Sequence, residues 1–516
     1  YNEIVYKVSK SQVSRDIKAA KRAYYHEQLL KNKGKMKEMW KILKSVIGFK
    51  EKNISCLEVI TDNEVVNQPN LVSNCFNDYF VEIGDKLASN IRTVDTCPLS
   101  YLGRPSSQSI FLAPVTPDEL KNCVALLKNS SPGHDGIKAE VLKKSLHLFA
   151  LPLLHILNLS FSTGVFPYEL KLANVTPVFK SGDQRMIGNY RPISILSVFS
   201  KIFEKLMYTR LYDFLTEHHM LYCKQFGFRS GFSTELALLS ATDFVTQSLD
   251  NKKHVIAVFL DMRKAFDTVN FNILLSKLLH LGIRGPAHRW FSDFLTGRRQ
   301  RVLVNDVSSG LRDLVCGVPQ GSTLGPLLFL LYINDLPSAL ANVTPIIFAD
   351  DTSLFMAGSD IDTMVNDFNI QLSKVKVWLQ ANRLSLNLNK TNSMLFSLNP
   401  QIYASPLRLT VDGDVIERVS STKYLGVLID DHLTWAVHIN HISNKLSKSI
   451  GILNRVKHFL NRETMLMLYY AFIFPYLVYC FLVWGKAAQV HLSKLRILQK
   501  RAVRVITVSH FMAHTD

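Results

Sequence analysis

Residues 254 to 260 read His-Val-Ile-Ala-Val-Phe-Leu, an apolar, β-prone run that stops at Asp261. A run this short and apolar on both faces predicts a strand buried on two sides. Pro345 to Phe348 and Thr352 to Phe355 have the same character and predict the arms of a hairpin with Asp350 and Asp351 between them. Arg301 to Val304 and Leu311 to Cys316 flank Val307-Ser-Ser-Gly and predict a second hairpin, and Ser393 to Ser397 one more short strand. Elsewhere the spacing is helical. Thr116-Pro117 supplies an N-cap and a first-turn proline for a helix over Asp118 to Leu127. Further helices are predicted at about 137–163 and 197–217, over Leu324 to Asn334, over Asp362 to Gln380, and after 437. Residues 11–47 are helical by pattern, with a break at Gly34 and an end at Gly48. Residues 51–115 are less regular, and the turn-rich stretch 94–109 reads as a linker.

At 516 residues the chain is too long for one core, and about two to four subdomains are expected. Its hydrophobic share of 47% with 20% charged residues suits a soluble globular protein. The net charge of +18 is unusual, and its placement says more than its size. Residues 1–53 carry +9, residues 437–516 carry +9, and the middle balances 35 basic against 35 acidic residues. A near-neutral body with two basic ends suits an enzyme that holds a polyanion, although basic helices also serve as plain solvated faces. The seven cysteines (Cys56, Cys75, Cys97, Cys123, Cys223, Cys316 and Cys480) form no CxxC pair and read as reduced intracellular thiols. Starting at Tyr1 and stopping after Asp516, the chain reads as a segment of a longer polyprotein. One stretch, 464–485, is uncharged and long enough to span a bilayer. Two short buried helices meeting near Pro475 account for it equally well, and the basic, tyrosine-rich context favours that second reading.

The chemistry starts from Asp350 and Asp351. Burying one carboxylate costs several kcal/mol unless it is paired or bound to a cation, and two neighbours repel besides. Asp261 closes a buried strand 89 residues earlier and supplies a third carboxylate. A strand-end Asp beside a hairpin Asp pair is what a two-metal phosphoryl-transfer site needs, with hard oxygens holding two Mg²⁺ ions roughly 3.5–4 Å apart.

These residues sit within an ordered series of blocks. They are Pro132-Gly133-His134-Asp135-Gly136; Asn189-Tyr190-Arg191-Pro192-Ile193-Ser194; Gln225-Phe226-Gly227-Phe228; Asp261 with Lys264-Ala265-Phe266-Asp267; Gly317-Val318-Pro319-Gln320-Gly321-Ser322; Phe348-Ala349-Asp350-Asp351; Leu384-Ser385-Leu386-Asn387 with Lys390-Thr391; and Lys423-Tyr424-Leu425-Gly426. From about Ser130 to Asp516 the chain resembles the reverse transcriptases of LINE-type (non-LTR) retrotransposons, of the jockey-like and related clades.

The resemblance implies a right-hand polymerase of the α+β class, with fingers, a palm built on an antiparallel sheet, and a helical thumb. Residues 1–53 would be a basic helical N-terminal extension, 54–114 a linker or pre-polymerase segment, 115–436 fingers and palm, and 437–516 a basic helical thumb that absorbs 464–485 as buried helix. Its implied activity is RNA-directed DNA synthesis on a DNA 3′-hydroxyl primer. Asp261, Asp350 and Asp351 are the implied metal ligands, for two Mg²⁺ with Mn²⁺ as a substitute. Phe266 would sit under the sugar and exclude a 2′-hydroxyl, or else be core packing. Lys180 and Arg191 would hold the triphosphate; Gln320 and Gly321 would support the nucleotide and template base, with a helix-entry turn as the plainer reading of Gly321. Lys390 would protonate the pyrophosphate, or be a solvated lysine. Arg298, Arg299 and Arg301 are expected at template phosphates, and Lys423, Tyr424, Leu425 and Gly426 at the primer end.

Implied partners are an RNA template (the element's own RNA), a DNA primer or target, and dNTPs, with no membrane. Work in the nucleus after cytoplasmic synthesis is the expected location. An endonuclease is expected outside this chain. A different templated polymerase is disfavoured by Phe266, and a catalytically silent RNA-binding relative by the intact acidic triad.

Overall fold

A computed structural model describes residues 2–46, 58–61, 64–404, 407–510 and 513–514. Gly48, Cys56 and the boundary drawn at residue 53 lie outside the described residues. The chain divides into two compact units: Ile54–Val419 forms one, and Tyr1–Asn53 with Ser420–Asp516 the other.

In the larger unit the apolar run His254–Leu260 is the central strand of a five-stranded sheet. Its order is Glu417–Arg418, Asn392–Phe396, His254–Leu260, Asp351–Gly358, Thr344–Phe348. The central strand pairs antiparallel on both sides, with Thr352 opposite Leu260 on one and Asn392 opposite Phe259 on the other. Residues Val255 to Leu260 are all buried. That is why the strand carries no polar alternation: the helix Thr234–Asp250 packs against it, Ile361–Ala381 packs against the adjoining strand Asp351–Gly358, and the main core takes in Ile256, Val258 and Leu260.

A second sheet runs Tyr190–Ile195, Leu172–Phe179, Arg299–Val304, Val307–Ser308, with Arg312–Asp313 also on Arg299–Val304. Here the predicted hairpin is corrected. Its turn is Asn305-Asp306, with φ of 49° and 64°, and Val307–Ser308 already belongs to the returning strand. Two successive positive-φ residues of the Asn/Asp type make the tight turn that matches strand twist. The described part of 51–115 is also more regular than expected. Pro69–Ser89 is a 21-residue helix that packs Val72, Phe76 and Phe80 under this sheet, and Asn77 ties it to Gly310 and Gln300.

Among the described residues the smaller unit is helical apart from the hairpin Ser421–Tyr424 with Val427–Asp430. Its N-terminal helices Asn2–Lys31 and Met36–Val46 meet at Gly34 and pack onto Arg462–Phe472 through Trp40–Phe472 and His26–Thr464 contacts. The run 464–485 holds the break near Pro475 expected of it, but it forms more than two helical pieces and is not wholly buried. It breaks before Pro475 and again at Cys480, leaving Arg462–Phe472, Phe474–Val478 and Phe481–Trp484, and Leu466, Tyr470 and Leu482 are exposed. Proline removes a backbone donor, and Cys480 takes a left-handed conformation that no helix interior holds. Among the described residues one helix, Ala139–Thr163, is long and apolar enough to cross a membrane by length and composition; Leu142, Leu157 and Phe161 tie it to the core of the larger unit.

Candidate active site

Phe348 pairs with Asp351, so Ala349 and Asp350 form the turn between two strands of the central sheet. Ala349 has a φ of 55°, an unusual conformation for a residue with a Cβ. A local support accounts for it. The amide oxygen of buried Gln225 accepts from the Ala349 N–H at 3.1 Å and the Gly227 N–H at 2.9 Å. Residues 224–226 run beside Ile347, which donates to Lys224 and accepts from Phe226. Gly227 has to be glycine, since a Cβ there would lie 2.4 Å from the Ala349 nitrogen. The block Gln225-Phe226-Gly227 therefore shapes the turn that presents Asp350. Sequence reasoning recognised the block and assigned it no role.

Asp261 arrives from the neighbouring strand. Antiparallel register, with Thr352 opposite Leu260, carries it one step further to the edge where Asp350 and Asp351 stand. It is anchored there by Asn387, whose side-chain amide donates to Asp261 Oδ2 at 2.7 Å while its backbone N–H donates to the Asp261 carbonyl at 2.7 Å. Thr391 Oγ accepts from the Asp261 N–H. The Leu384-Ser385-Leu386-Asn387 block is thus a support for the first carboxylate, another role that spacing alone did not reveal.

Three carboxylates at one edge show their mutual repulsion. Burial and then Asp261 push the Asp350 carboxyl above its ordinary value, while Arg191 and Lys180 pull it down. Asp351 is pushed up to about 6, by burial first and then by Asp350 and Asp261. Asp351 is exposed as a residue, so solvent screens part of that push. The opposing cations come from the second sheet. Arg191 pairs across from Val178, and the Lys180 N–H donates to Asn189, which puts both exposed side chains at one end of that hairpin. Lys264 holds the hairpin end by donating to the carbonyls of Gly188 and Tyr190, both at 3.2 Å. Burial lowers its pKa, and Lys180, Arg191 and the exposed Lys390 lower it further. The structure therefore brings five of the expected residues (Asp261, Asp350, Asp351, Lys180 and Arg191) within electrostatic reach of one another, with Lys390 at the margin.

Phe266 is half-buried, stacked on Phe329 at 4.4 Å and edge-on to Phe228 at 6.3 Å. Gln320 donates from its amide to Asp267 Oδ1 at 2.8 Å, a bond that fixes which way the amide faces. Asp267 is pushed up to about 6 by burial, against the pull of Gln320, Lys264 and Arg191. Gly321 sits at φ 126°, and a Cβ there would lie 2.3 Å from the Ser194 carbonyl oxygen, so its glycine identity reflects a close approach of two backbones.

Two expectations fail. Arg298 is only 1% exposed; it donates to the Phe294 carbonyl and stacks over the Phe294 ring, so it is not available to template phosphates. The turn residues Thr296 and Gly297 are the exposed ones, and the strand that follows turns Arg298 inward by alternation. Arg299 and Arg301 share the other face, engaged with the Tyr168 ring and with Asn174 Oδ1. The ring of Tyr424 is likewise buried, which removes it as a primer contact. In that hairpin, which belongs to the smaller unit, Leu425 and Gly426 form a turn with φ of 45° and 87° under Tyr479, and Lys423 is the exposed cation.

Among the described residues no three His, Cys, Asp or Glu side chains close around a single point as a self-sufficient metal cage.

Residues 178–429 match the family described as reverse transcriptase (RNA-dependent DNA polymerase). The chain is 31% identical over 425 residues to the "Probable RNA-directed DNA polymerase from transposon BS" of Drosophila melanogaster, covering 79% of this chain and 46% of that protein. It is 29% identical to the corresponding X-element protein of the same fly, over 82% of this chain and 47% of the relative. To the "RNA-directed DNA polymerase from mobile element jockey" it is 28% identical, over 79% and 45%. The chain thus spans about half the length of the curated relatives it matches. The aspartate hairpin, its Gln225 and Asn387 supports and the facing cations all fall within the matched stretch, so the chain carries a reverse transcriptase domain, similar to those of the jockey-like non-LTR retrotransposons.

Proposed function

We propose that this chain is an RNA-directed DNA polymerase that extends a DNA 3′-hydroxyl on an RNA template, in a right-hand arrangement. In this reading residues of about 115–250 serve as fingers, the central sheet as palm, and the helices from 437 onward as thumb. The observation that carries the proposal is the meeting of Asp261, Asp350 and Asp351 at one sheet edge, opposed by the cations of Lys180 and Arg191.

Asp261 and Asp350 are the residues that would hold two Mg²⁺ ions, with Mn²⁺ as a substitute and Asp351 beside them; bound there, the ions would supply Lewis-acid charge to the primer hydroxyl and the phosphates. Everything else falls to the chain itself. Lys180 and Arg191 hold and orient the triphosphate by charge-assisted hydrogen bonds. The Phe266 ring, pinned by Phe329, occupies the space a 2′-hydroxyl would need and so selects dNTPs. Gln320, turned by Asp267, supports the nucleotide and its template base. Lys390, an exposed lysine, protonates the departing pyrophosphate in this reading. Catalysis is then positioning and preorganised charge.

The basic helices, with Lys423, engage template and primer phosphates, so binding weakens steeply with salt. The element's own RNA is the proposed template and a chromosomal 3′-end the proposed primer, which makes the nucleus the place of action after synthesis in the cytoplasm. Primer extension on an RNA template with dNTPs and Mg²⁺, wild type beside Asp350→Asn, tests the reading. Loss of extension in the variant is expected. Equal extension by the two proteins would overturn the metal site, and extension by neither would leave a catalytically silent RNA-binding relative as the better account.

A further inference from the structure

The loop carrying Gln320 is held from three directions. The Ser194 N–H, in the strand that also carries Arg191, donates to the Gln320 carbonyl at 2.7 Å. Asp267 takes the Gln320 amide. The third hold is Glu204, on the helix Val198–Glu217, a residue that belongs to none of the sequence blocks. Its side chain is fully buried. One carboxylate oxygen accepts from Ser322 Oγ at 2.5 Å, the Thr323 N–H at 2.6 Å and the Leu324 N–H at 3.3 Å; the other accepts from Ser200 Oγ at 2.9 Å.

Those loop donors follow directly on Gln320 and Gly321, at the start of the helix Gly325–Ile333, where free N–H groups and the helix dipole favour an anion. A cap alone does not require a buried charge. Ser322 already caps this helix, accepting from Leu324 and Gly325 at 3.1 and 2.9 Å. What Glu204 adds is a link from the loop to a second helix. Arg298, also buried, complements it: burial pushes the guanidinium pKa down and the Glu204 charge opposes that push. Gly321 leaves the loop no slack against Ser194.

We propose that Glu204 is a positioning residue for the incoming nucleotide, anchoring residues 322–324 so that Gln320 keeps its place relative to the Asp261, Asp350 and Asp351 edge. This rests on the polymerase reading above. Glu204 grips Ser322, two residues beyond the functional glutamine, and so acts on it through a short stretch of backbone. A displacement of about 1 Å at such a position costs on the order of a hundredfold in rate.

The test is single-nucleotide insertion by the full chain on an RNA template and DNA primer, for wild type, Glu204→Gln, Gln320→Ala and the double variant. Glu204→Gln keeps size and one acceptor oxygen and loses the charge. Its kcat/KM for the dNTP is expected to fall about tenfold or more, with the Kd for primer–template within about twofold of wild type. Added to Gln320→Ala, it is expected to cause no further fall, because both changes act through one side chain. An unchanged kcat/KM overturns the proposal, as does a fall of equal size in the Gln320→Ala background. Should Glu204→Gln show no folded thermal transition, Ser200→Ala is the second arm, since it removes only the bond that orients the far oxygen. A smaller dNTP-specific fall is expected there, and none would overturn the proposal. Asp350→Asn run alongside separates the two readings: a dead Asp350→Asn with normal Glu204→Gln defeats only this inference, whereas an active Asp350→Asn defeats the polymerase reading beneath it.

Discussion

The side-chain amide of Asn387 donates to Asp261 Oδ2 at 2.7 Å, from a segment 126 residues further along the chain. One neutral amide thus holds the carboxylate that has to meet two others of like charge. Removing a support of this kind typically costs about 10–100-fold in metal affinity or activity. Asn387→Ala is therefore expected to raise the Mg²⁺ concentration that half-saturates primer extension by about tenfold or more. A metal titration of the two proteins measures it, and identical half-saturation points would remove Asn387 from the site.

Asp351 makes a prediction about pH. Its folded pKa of about 6 lies above the ordinary carboxylate range, so the folded state disfavours the ionised form. The contribution to stability is therefore unfavourable above about 6, shrinks as pH falls through that value, and vanishes below the unfolded pKa near 4. In metal-free buffer Asp351→Asn should melt higher than wild type at pH 7.5 and together with it near pH 4. For an exposed residue the gain is about 1 kcal/mol at most after solvent screening. Adding excess Mg²⁺ at pH 7.5 should narrow the gap, because a cation relieves the same repulsion. Calorimetry at the two pH values decides it, and a variant less stable at pH 7.5 would contradict the repulsion argument.

Phe266 is expected to trade sugar selection for packing. Phe266→Val opens the space beside the sugar and should raise the rNTP-to-dNTP insertion ratio about tenfold or more. It also unstacks Phe329, so a loss of about 1–3 kcal/mol in stability should accompany it. Insertion assays with matched rNTP and dNTP read the first effect and thermal melting the second. A destabilised variant with unchanged sugar preference would mean that the ring is core and nothing more.

Arg298→Met tests the correction at that position. A buried guanidinium removed from template contact should leave primer–template affinity and its salt dependence unchanged. Lys423→Ala, by contrast, removes an exposed cation and should lower the slope of log affinity against log salt by about one. Fluorescence anisotropy over a range of salt distinguishes them. A shallower slope for Arg298→Met would return that residue to the nucleic-acid surface.

Much of the site was legible because its signals are local. The strand His254–Leu260 and the hairpin around Asp350 are each short runs whose apolar character is set by burial on both faces, and the carboxylates sit at their ends. The misreadings share another cause. Arg298 looked like its exposed neighbours, and only the strand's alternation together with the Phe294 side chain turned it inward. The helix Pro69–Ser89 was hidden among turn-rich neighbours because its apolar face is completed by a sheet more than 80 residues away. In the run 464–485 Pro475 marks one break in the sequence, but composition reports apolarity and neither the second break at Cys480 nor the exposure of Leu466, Tyr470 and Leu482.

The sequence by itself determined the candidate chemistry: three aspartates, their apolar strands and the ordered blocks between them are covalent facts, and carboxylates brought together repel unless a cation relieves them. Tertiary structure decided what supports them. Gln225 beneath the Ala349 turn, Asn387 on Asp261, Asp267 on Gln320 and Glu204 behind the same loop are hydrogen bonds between segments far apart in the chain. Their partners are chosen by register and packing, which no local pattern of residues records.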